Sequence, residues 1–114
     1  MAWLRRVSDR DMFLSAVTVG ELQKGVENLR ARDADRARDI EAWIDQIARL
    51  WNILPMDARA FRLWAVLMSG QSGDLIADAM IAATAKIHNL TVVTRNVKDF
   101  ALLDVPILDP FEPV

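Results

Sequence analysis

The feature that most constrains this chain is a long apolar stretch that carries a single charge. From Leu75 to Ala85 every residue is apolar or small except Asp78 and Thr84. A segment that is apolar on all sides predicts a buried helix. A carboxylate near the start of such a helix is costly unless a metal, another cation or backbone donors offset its lost hydration.

A second carboxylate follows the next apolar segment. Residues 90–94 read Leu-Thr-Val-Val-Thr, which predicts a strand, and Asp99 comes shortly after them in a polar loop. Two carboxylates that flank one helix–strand unit indicate half of a metal site.

The composition is that of one small globular domain spanning residues 1–114, with 53% apolar and 26% charged residues. No apolar run approaches the roughly 20 residues of a membrane span, and residues 1–6 lack the hydrophobic stretch of a signal peptide, so we expect a cytoplasmic protein. The absence of cysteine excludes disulfides and thiolate metal sites. The net charge of −2 means that any nucleic-acid binding must use local basic patches.

Strand-like and helix-like segments alternate along the chain, which favours an α/β domain with a mainly parallel sheet of about four strands and helices on both faces. The predicted strands cover residues 12–17, 53–55, 90–94 and 105–108. The last is expected at a sheet edge, because Pro106 cannot donate to a ladder.

The helices are predicted from caps and apolar stripes. Thr18 and Glu21 form a capping-box pattern that would open the first helix. Its apolar face is predicted to hold Val19, Leu22, Val26 and Leu29. After an exposed, charged connection over residues 31–37, a second helix is expected to bury Ile40, Trp43, Ile44, Ile47, Leu50 and Trp51. Asp57 is expected to cap a third helix that ends at Gly70, and Asp74 or Ser72 to cap the buried helix.

In parallel sheets, ligand sites lie beyond the carboxyl ends of the strands. Glu21 follows the first predicted strand, Asp99 follows the third, and Asp78 could approach the same rim. Three carboxylates there would bind Mg²⁺ or Mn²⁺, which prefer oxygen ligands. Such ions activate water and stabilise charge on a phosphate.

The loop before Asp99 adds neutral and basic groups. Thr94 and Asn96 could supply further oxygens, and Arg95 and Lys98 could hold a phosphate backbone. A second basic cluster comprises Lys24, Arg30, Arg32, Arg36 and Arg38. Because acidic residues interleave with this cluster, it also fits a salt-bridged exposed segment.

Several of these segments together resemble one known family. Residues 77–85 (Ala-Asp-Ala-Met-Ile-Ala-Ala-Thr-Ala) and 90–100 (Leu-Thr-Val-Val-Thr-Arg-Asn-Val-Lys-Asp-Phe) are similar to the C-terminal signature of PIN-domain nucleases, above all the VapC-type toxins of bacterial toxin–antitoxin modules. Residues 14–22 resemble the family segment that carries its second acidic residue. Residues 53–57 and 106–111 match in order and spacing.

This resemblance implies a three-layer PIN-like fold and a Mg²⁺-dependent endoribonuclease toxin of a type II toxin–antitoxin system, held inactive by a cognate antitoxin and usually dimeric. Glu21, Asp78 and Asp99 match the family's acidic positions and are the implied catalytic and metal-binding residues. Asn96 stands where some relatives carry a further aspartate, so it is either a ligand or an orienting residue.

The sequence departs from the family pattern at its start. The family begins with a short central strand that ends in Asp-Thr-Asn, whose aspartate is a principal metal ligand, and no Asp-Thr-Asn occurs in this sequence. Asp9, Asp11 and Asp104 are not placed as obvious substitutes. We therefore expect the central first strand to be missing and the resulting seam to favour dimerisation. The alternative function is a truncated, catalytically inactive PIN-like module that dimerises or binds an antitoxin.

Each candidate residue also has a purely structural interpretation. Glu21 would complete a capping box, Asp78 would be favoured at a helix start, and Asp99 would cap a loop. Arg95 and Lys98 would be solvated surface residues.

The aromatic residues and the lone histidine favour structural roles. His88, the only histidine, is expected at a helix end, which excludes a ribonuclease that uses paired histidines. Trp43, Trp51 and Trp64 lie on predicted core stripes rather than on a base-stacking surface.

Overall fold

The computed structural model describes residues 12–110 of the chain. They divide between two compact units, residues 12–54 and residues 55–110. Asp9, Asp11 and Phe111 lie outside the described residues. None of the helices within residues 12–110 is long and apolar enough to span a membrane.

In the first unit, two helices lie between two short strands in the order of the chain. Strand β1 (Phe13–Ser15) leads into helix α1 (Ala16–Arg30), which is followed by helix α2 (Ala34–Leu50) and strand β2 (Asn52–Leu54). The two strands pair in parallel, with Leu14 opposite Ile53. The strand predicted over residues 12–17 is therefore shorter than expected, because the helix begins at Ala16, the fifth residue of that range.

Helix α1 begins at Ala16, and the predicted capping box is wrong. The Ser15 hydroxyl accepts a hydrogen bond from the Val17 backbone N–H at 3.1 Å, so Ser15 is the N-cap. Thr18 and Glu21 consequently lie inside the helix. Glu21 therefore does not take part in an N-terminal cap, and its purely structural interpretation is wrong.

The core of the first unit forms where α1 packs against α2. The whole predicted stripe of α1 takes part in this core, which confirms that prediction. The core consists of Val26, Ala37 and Ile44, with Val19, Leu22, Leu29 and Ile40 packed against them.

The predicted stripe of α2 is only partly right. Ile44 and Ile47 are buried, but Trp43 is 51% exposed and Leu50 is 68% exposed. The helix also begins at Ala34, with the Asp33 carboxylate capping the Arg36 N–H, so the expected connection over residues 31–37 is mostly helical. Its Ala37 is fully buried because it faces α1.

The charged surface of α1 and α2 is salt-bridged, as the alternative interpretation of the basic cluster predicted. Arg30 pairs with Glu27 at 2.9 Å and with Glu41 at 2.8 Å, and Arg38 pairs with Asp35. The hydrogen bond from Arg30 holds the pKa of Glu27 below its usual range, with a further contribution from Gln23.

The second unit contains three helices and two strands. These are helix α3 (Ala58–Met68), helix α4 (Ile76–Ile87), strand β3 (Val92–Val93), helix α5 (Val97–Ala101) and strand β4 (Ile107–Leu108). A 3-10 turn, Gly73–Leu75, precedes α4.

The predicted cap at Asp57 is observed, but the predicted cap of the buried helix is wrong. Ser72 caps the 3-10 turn instead, and α4 has Leu75 at its N-cap position with no side-chain hydrogen bond. The Asp57 carboxylate accepts from the Ala60 N–H at 3.0 Å, and the Ser72 hydroxyl accepts from the Asp74 N–H at 3.2 Å. Gly70 follows the end of α3 with φ 78°, a conformation that glycine adopts without strain. His88 ends α4, as expected.

Helix α4 is buried as the sequence predicts, because small side chains on several faces allow close packing. Ala79, Ala82 and Ala83 have no exposed surface. Trp64 packs against this core and donates its indole N–H to the Ile76 carbonyl at 3.1 Å. The core of the second unit consists of Leu75, Ala79, Ala82, Ala85, Val92, Phe100, Leu103 and Val105.

The strands pair in parallel, which confirms the predicted α/β class, but they form two sheets. Strand β1 pairs with β2, and β3 pairs with β4, with Val92 opposite Ile107. The prediction was one sheet of about four strands. Within residues 12–110 each strand has a ladder partner on one edge only, because each of the two sheets contains just two strands.

Candidate functional site

One side-chain amide joins the two carboxylates that the sequence singled out. The Asn96 Nδ2 group donates to Asp78 Oδ2 at 3.3 Å and to Asp99 Oδ2 at 2.9 Å. Both carboxylate oxygens therefore lie within 3.3 Å of a single nitrogen atom. We call Asp78, Asn96 and Asp99 the acidic pocket.

Three elements place these residues. Asp78 lies in the first turn of α4, Asp99 lies in the first turn of α5, and Asn96 is the residue just before α5. The acidic pocket follows the carboxyl end of β3, the position where parallel sheets bind ligands. Asn96 and Asp99 are neighbours in sequence, whereas Asp78 reaches the pocket from a helix 18 residues earlier.

The turn between β3 and α5 is held at two points. The Thr94 N–H donates to the Leu108 carbonyl at 3.0 Å, which ties the turn to β4. The Thr94 hydroxyl accepts from the Asn96 backbone N–H at 2.9 Å. The sequence analysis considered Thr94 only as a source of a ligand oxygen. The structure uses its hydroxyl to position Asn96, and a Thr-x-Asn pattern just after a strand is the signal that points to such a turn.

Burial is graded across the acidic pocket. Asp78 and Asp99 are half-buried, each next to a buried apolar residue of its helix, whereas Asn96 is exposed. Two carboxylates that face one point repel each other. The Asn96 amide, which donates a hydrogen bond to both, offsets part of that repulsion. Helix starts also favour negative charge, which supports Asp78 in the first turn of α4.

The acidic pocket has the chemistry of a site for a small, hard cation. Its carboxylate oxygens are the ligands that Mg²⁺ and Mn²⁺ prefer, and Mg²⁺ is commonly held by one or two carboxylates, with waters and substrate phosphates completing its shell. Within residues 12–110, no group of three or more histidine, aspartate or glutamate side chains is arranged to hold a metal ion. At this point of the fold, the described part of the chain brings together two carboxylates and one amide.

The structure also describes three further predicted site residues, Glu21, Arg95 and Lys98. Glu21 is exposed on α1 in the first unit, so its role as a third metal ligand stays a prediction. Arg95 and Lys98 are exposed on either side of Asn96 in the sequence. Asp104 pairs with Lys86 at 3.2 Å, consistent with its exclusion as a substitute ligand.

Comparison with known proteins identifies the relatives of this chain. The family model described as PIN domain matches residues 1–105. Toxin FitB of Neisseria gonorrhoeae is 36% identical over 118 residues, an alignment that covers 97% of this chain and 84% of FitB. VapC ribonuclease Y4jK of Sinorhizobium fredii is 36% identical over 122 residues, covering 99% of this chain and 84% of that protein.

Solved structures agree with the sequence relatives. The crystal structure of FitAcB from Neisseria gonorrhoeae superposes with a TM-score of 0.87 at 35% identity, covering 98% of this chain and 84% of the other. DNA-bound VapBC from Salmonella typhimurium superposes with a TM-score of 0.70 at 23% identity, covering 86% and 74%. At 23% identity, the likeness to VapBC from Salmonella typhimurium shows a shared fold only.

Proposed function

This chain belongs to the PIN-domain family, and on that premise we propose that it is a metal-dependent endoribonuclease, the toxin of a type II toxin–antitoxin pair. The observation that carries the proposal is the acidic pocket, in which Asp78 and Asp99 direct their oxygens at one point. The names of the relatives support the activity, since one is a toxin and two are VapC ribonucleases.

The proposed cofactor is Mg²⁺ or Mn²⁺, held by Asp78 and Asp99, with Glu21 as a third ligand and Asn96 as a ligand or orienting residue. The bound cation would activate water and stabilise the charge that develops on the phosphate. The half-buried carboxylates suit this task because their burial limits competition from bulk water.

The proposed substrate is RNA. Arg95 and Lys98 are exposed in the turn and helix that also supply Asn96 and Asp99, so the segment that carries the acidic pocket also carries two positive charges of the kind that contact a phosphate backbone. Such contacts position a nucleic acid without reading its sequence. The net charge of −2 makes this local cationic segment more important, because the chain as a whole does not attract RNA.

The proposed partners are a cognate antitoxin and a second copy of the chain, in the cytoplasm. Solved structures of relatives are of toxin–antitoxin assemblies, including FitAcB and VapBC-5 from Mycobacterium tuberculosis, the latter 36% identical over 82% of this chain with a TM-score of 0.64. FitAB was solved on a DNA fragment as well. Those assemblies support a chain whose activity is restrained by a protein bound to it.

The proposal is tested by RNA cleavage with Mg²⁺, comparing the wild-type chain with Asp78→Asn. Loss of one carboxylate from the acidic pocket should reduce the cleavage rate about 100-fold or more. Asp45→Asn is the matched control, because Asp45 is an exposed aspartate on α2. It should cleave as fast as wild type, and EDTA should stop both.

Equal background cleavage by wild type and Asp78→Asn would overturn the enzymatic function. It would favour the inactive module that dimerises or binds an antitoxin.

A further inference from the structure

The Asn96 side chain does not do what an asparagine before a helix ordinarily does. Asn96 occupies the N-cap position of α5, where a side-chain oxygen usually accepts from a backbone N–H of the first turn. Here the side chain makes no capping hydrogen bond. It turns its Nδ2 group toward Asp78 and Asp99 instead.

One of these two hydrogen bonds is local and the other is not. The contact with Asp99 spans three residues and is of the kind that helix starts often show. The contact with Asp78 spans 18 residues and links α5 to α4. Local helix geometry does not account for it, so the amide bridges two carboxylates that belong to different helices.

The amide nitrogen lies between the two carboxylate oxygens that a shared cation would bind. A side-chain Nδ2 group carries only donors and cannot ligate a metal. A cation shared by Asp78 Oδ2 and Asp99 Oδ2 would therefore meet these donors in its place. Binding requires the Asn96 amide to withdraw these donors, either by turning away from the acidic pocket or by rotating so that its Oδ1 faces the cation.

The surroundings of Asn96 permit such a turn. Its backbone N–H is held by the Thr94 hydroxyl at 2.9 Å, so the main chain can stay in place while the side chain rotates. Asn96 is exposed, whereas the two carboxylates are half-buried. The amide can thus move into water, while the carboxylates remain directed at the pocket.

We propose that Asn96 is a positioning residue whose amide takes the place of the cation in the metal-free protein and competes with it for Asp78 and Asp99. This inference rests on the proposed function, since it assumes a cation at the acidic pocket. Asn96 keeps two like charges together when no metal is bound, at the expense of metal affinity. The affinity of the pocket is then set by this competition as well as by its ligands.

The test is calorimetric titration of the metal-free chain with Mg²⁺ and, separately, Mn²⁺. The variants are Asn96→Ala and Asn96→Leu, neither of which can donate to the carboxylates or ligate a metal. If the amide competes, both should bind the cation about three- to tenfold more tightly than wild type, the scale of the net contribution of one hydrogen bond. Asn28→Ala, on the exposed surface of α1, is the matched control and should bind like wild type.

The opposite result has a clear meaning. If Asn96 acts through its amide oxygen as a ligand, both variants should bind more weakly, and the inference is overturned. Unchanged affinity overturns it too. A general loss of structure would weaken binding, so a gain cannot come from misfolding.

A second measurement tests the bridge without any metal. In EDTA, Asn96→Ala should unfold at lower urea concentration than wild type, because Asp78 and Asp99 then repel each other without a shared donor. In an Asp78→Asn background the same substitution should cost less, since the repulsion is gone. Equal costs in the two backgrounds would contradict the bridge.

Failure of the proposed function gives a different pattern. In that case wild type and all Asn96 variants show no binding of Mg²⁺ or Mn²⁺, and RNA is not cleaved. If wild type binds the cation and cleaves RNA but the variants show no gain in affinity, the inference alone fails.

Discussion

Thr94 links the sheet of the second unit to the acidic pocket through two hydrogen bonds. Its N–H donates to Leu108 in β4, and its hydroxyl accepts from the Asn96 N–H. Because Thr94 is half-buried, an apolar replacement would leave the Asn96 N–H without this acceptor. Of the two hydrogen bonds that hold the turn between β3 and α5, the one from the Asn96 N–H therefore depends on a single side-chain oxygen.

Thr94→Val should reduce the free energy of unfolding by about 1 kcal/mol, because valine keeps the shape of threonine but cannot accept the hydrogen bond. Urea denaturation measures the change. Thr91→Val is the matched control, since Thr91 is exposed just before β3, and its effect should be close to zero. Equal effects of the two substitutions would show that the turn does not depend on the hydroxyl.

The sequence indicated which carboxylates form the acidic pocket, but it did not indicate how the Asn96 side chain is oriented there. Asp78 stood out because it interrupts an apolar helix, and Asp99 because it follows an apolar strand. The direction of the Asn96 amide could not be predicted, because it depends on where α4 places Asp78. For the same reason, the sequence could not decide whether Asn96 is a metal ligand or an orienting residue.

At the scale of single elements, the start of α1 was the clearest error. Two residues could cap this helix, and the sequence favoured Thr18 because Glu21 follows it at capping-box spacing. The structure uses Ser15, which is only 9% exposed. Ser15 lacks a Glu or Gln three residues later, so the capping-box pattern did not point to it, and its role follows from the end of the pairing between β1 and β2 at Ser15.

Ser15→Ala should destabilise the chain by about 1 kcal/mol through loss of the N-cap. Thr18→Ala is the matched comparison, because it removes the hydroxyl from a residue inside the helix, where alanine is the better helix former. Thermal or urea unfolding should show a loss for Ser15→Ala and none for Thr18→Ala. If Thr18→Ala lost more unfolding free energy than Ser15→Ala, the cap would lie at Thr18 and not at Ser15.

Helix α2 shows a second limit at this scale. Its apolar residues form a stripe wider than one contact surface, so periodicity alone could not say which of them face α1. The contact with α1 selects Ala37, Ile40 and Ile44, and leaves Trp43 and Leu50 exposed. A stripe thus predicts the existence of a helix better than it predicts the burial of each member.

At the scale of the whole molecule, metal binding should increase the free energy of unfolding. A ligand that binds only the folded chain, at about 100 times its dissociation constant, adds about 2.7 kcal/mol to the free energy of unfolding. For a domain of this size Mg²⁺ should therefore raise Tm by about 10 °C, and EDTA should reverse the shift.

The control for this prediction is a pair of aspartate variants. Asp78→Asn should lose most of the Mg²⁺-dependent shift in Tm, whereas Asp45→Asn on α2 should keep it. A shift of the same size in both variants would mean that the cation binds outside the acidic pocket.

Membership of the PIN-domain family was predictable because the matching segments span the chain in the right order. The α/β class was predictable too, since strand-like and helix-like segments alternate. The division of the strands into two parallel pairs was not predictable. Pairing depends on which strand edges meet, and no local pattern specifies that.

The sequence by itself determined what is local: the buried helix α4, the cap at Asp57, and the two carboxylates that flank the third predicted strand. These follow from side-chain polarity and backbone hydrogen bonding within a few residues. Only the tertiary structure decided that Asn96 bridges Asp78 and Asp99. That arrangement joins two helices across 18 residues of chain, and only packing around a shared core brings such distant groups within hydrogen-bond distance.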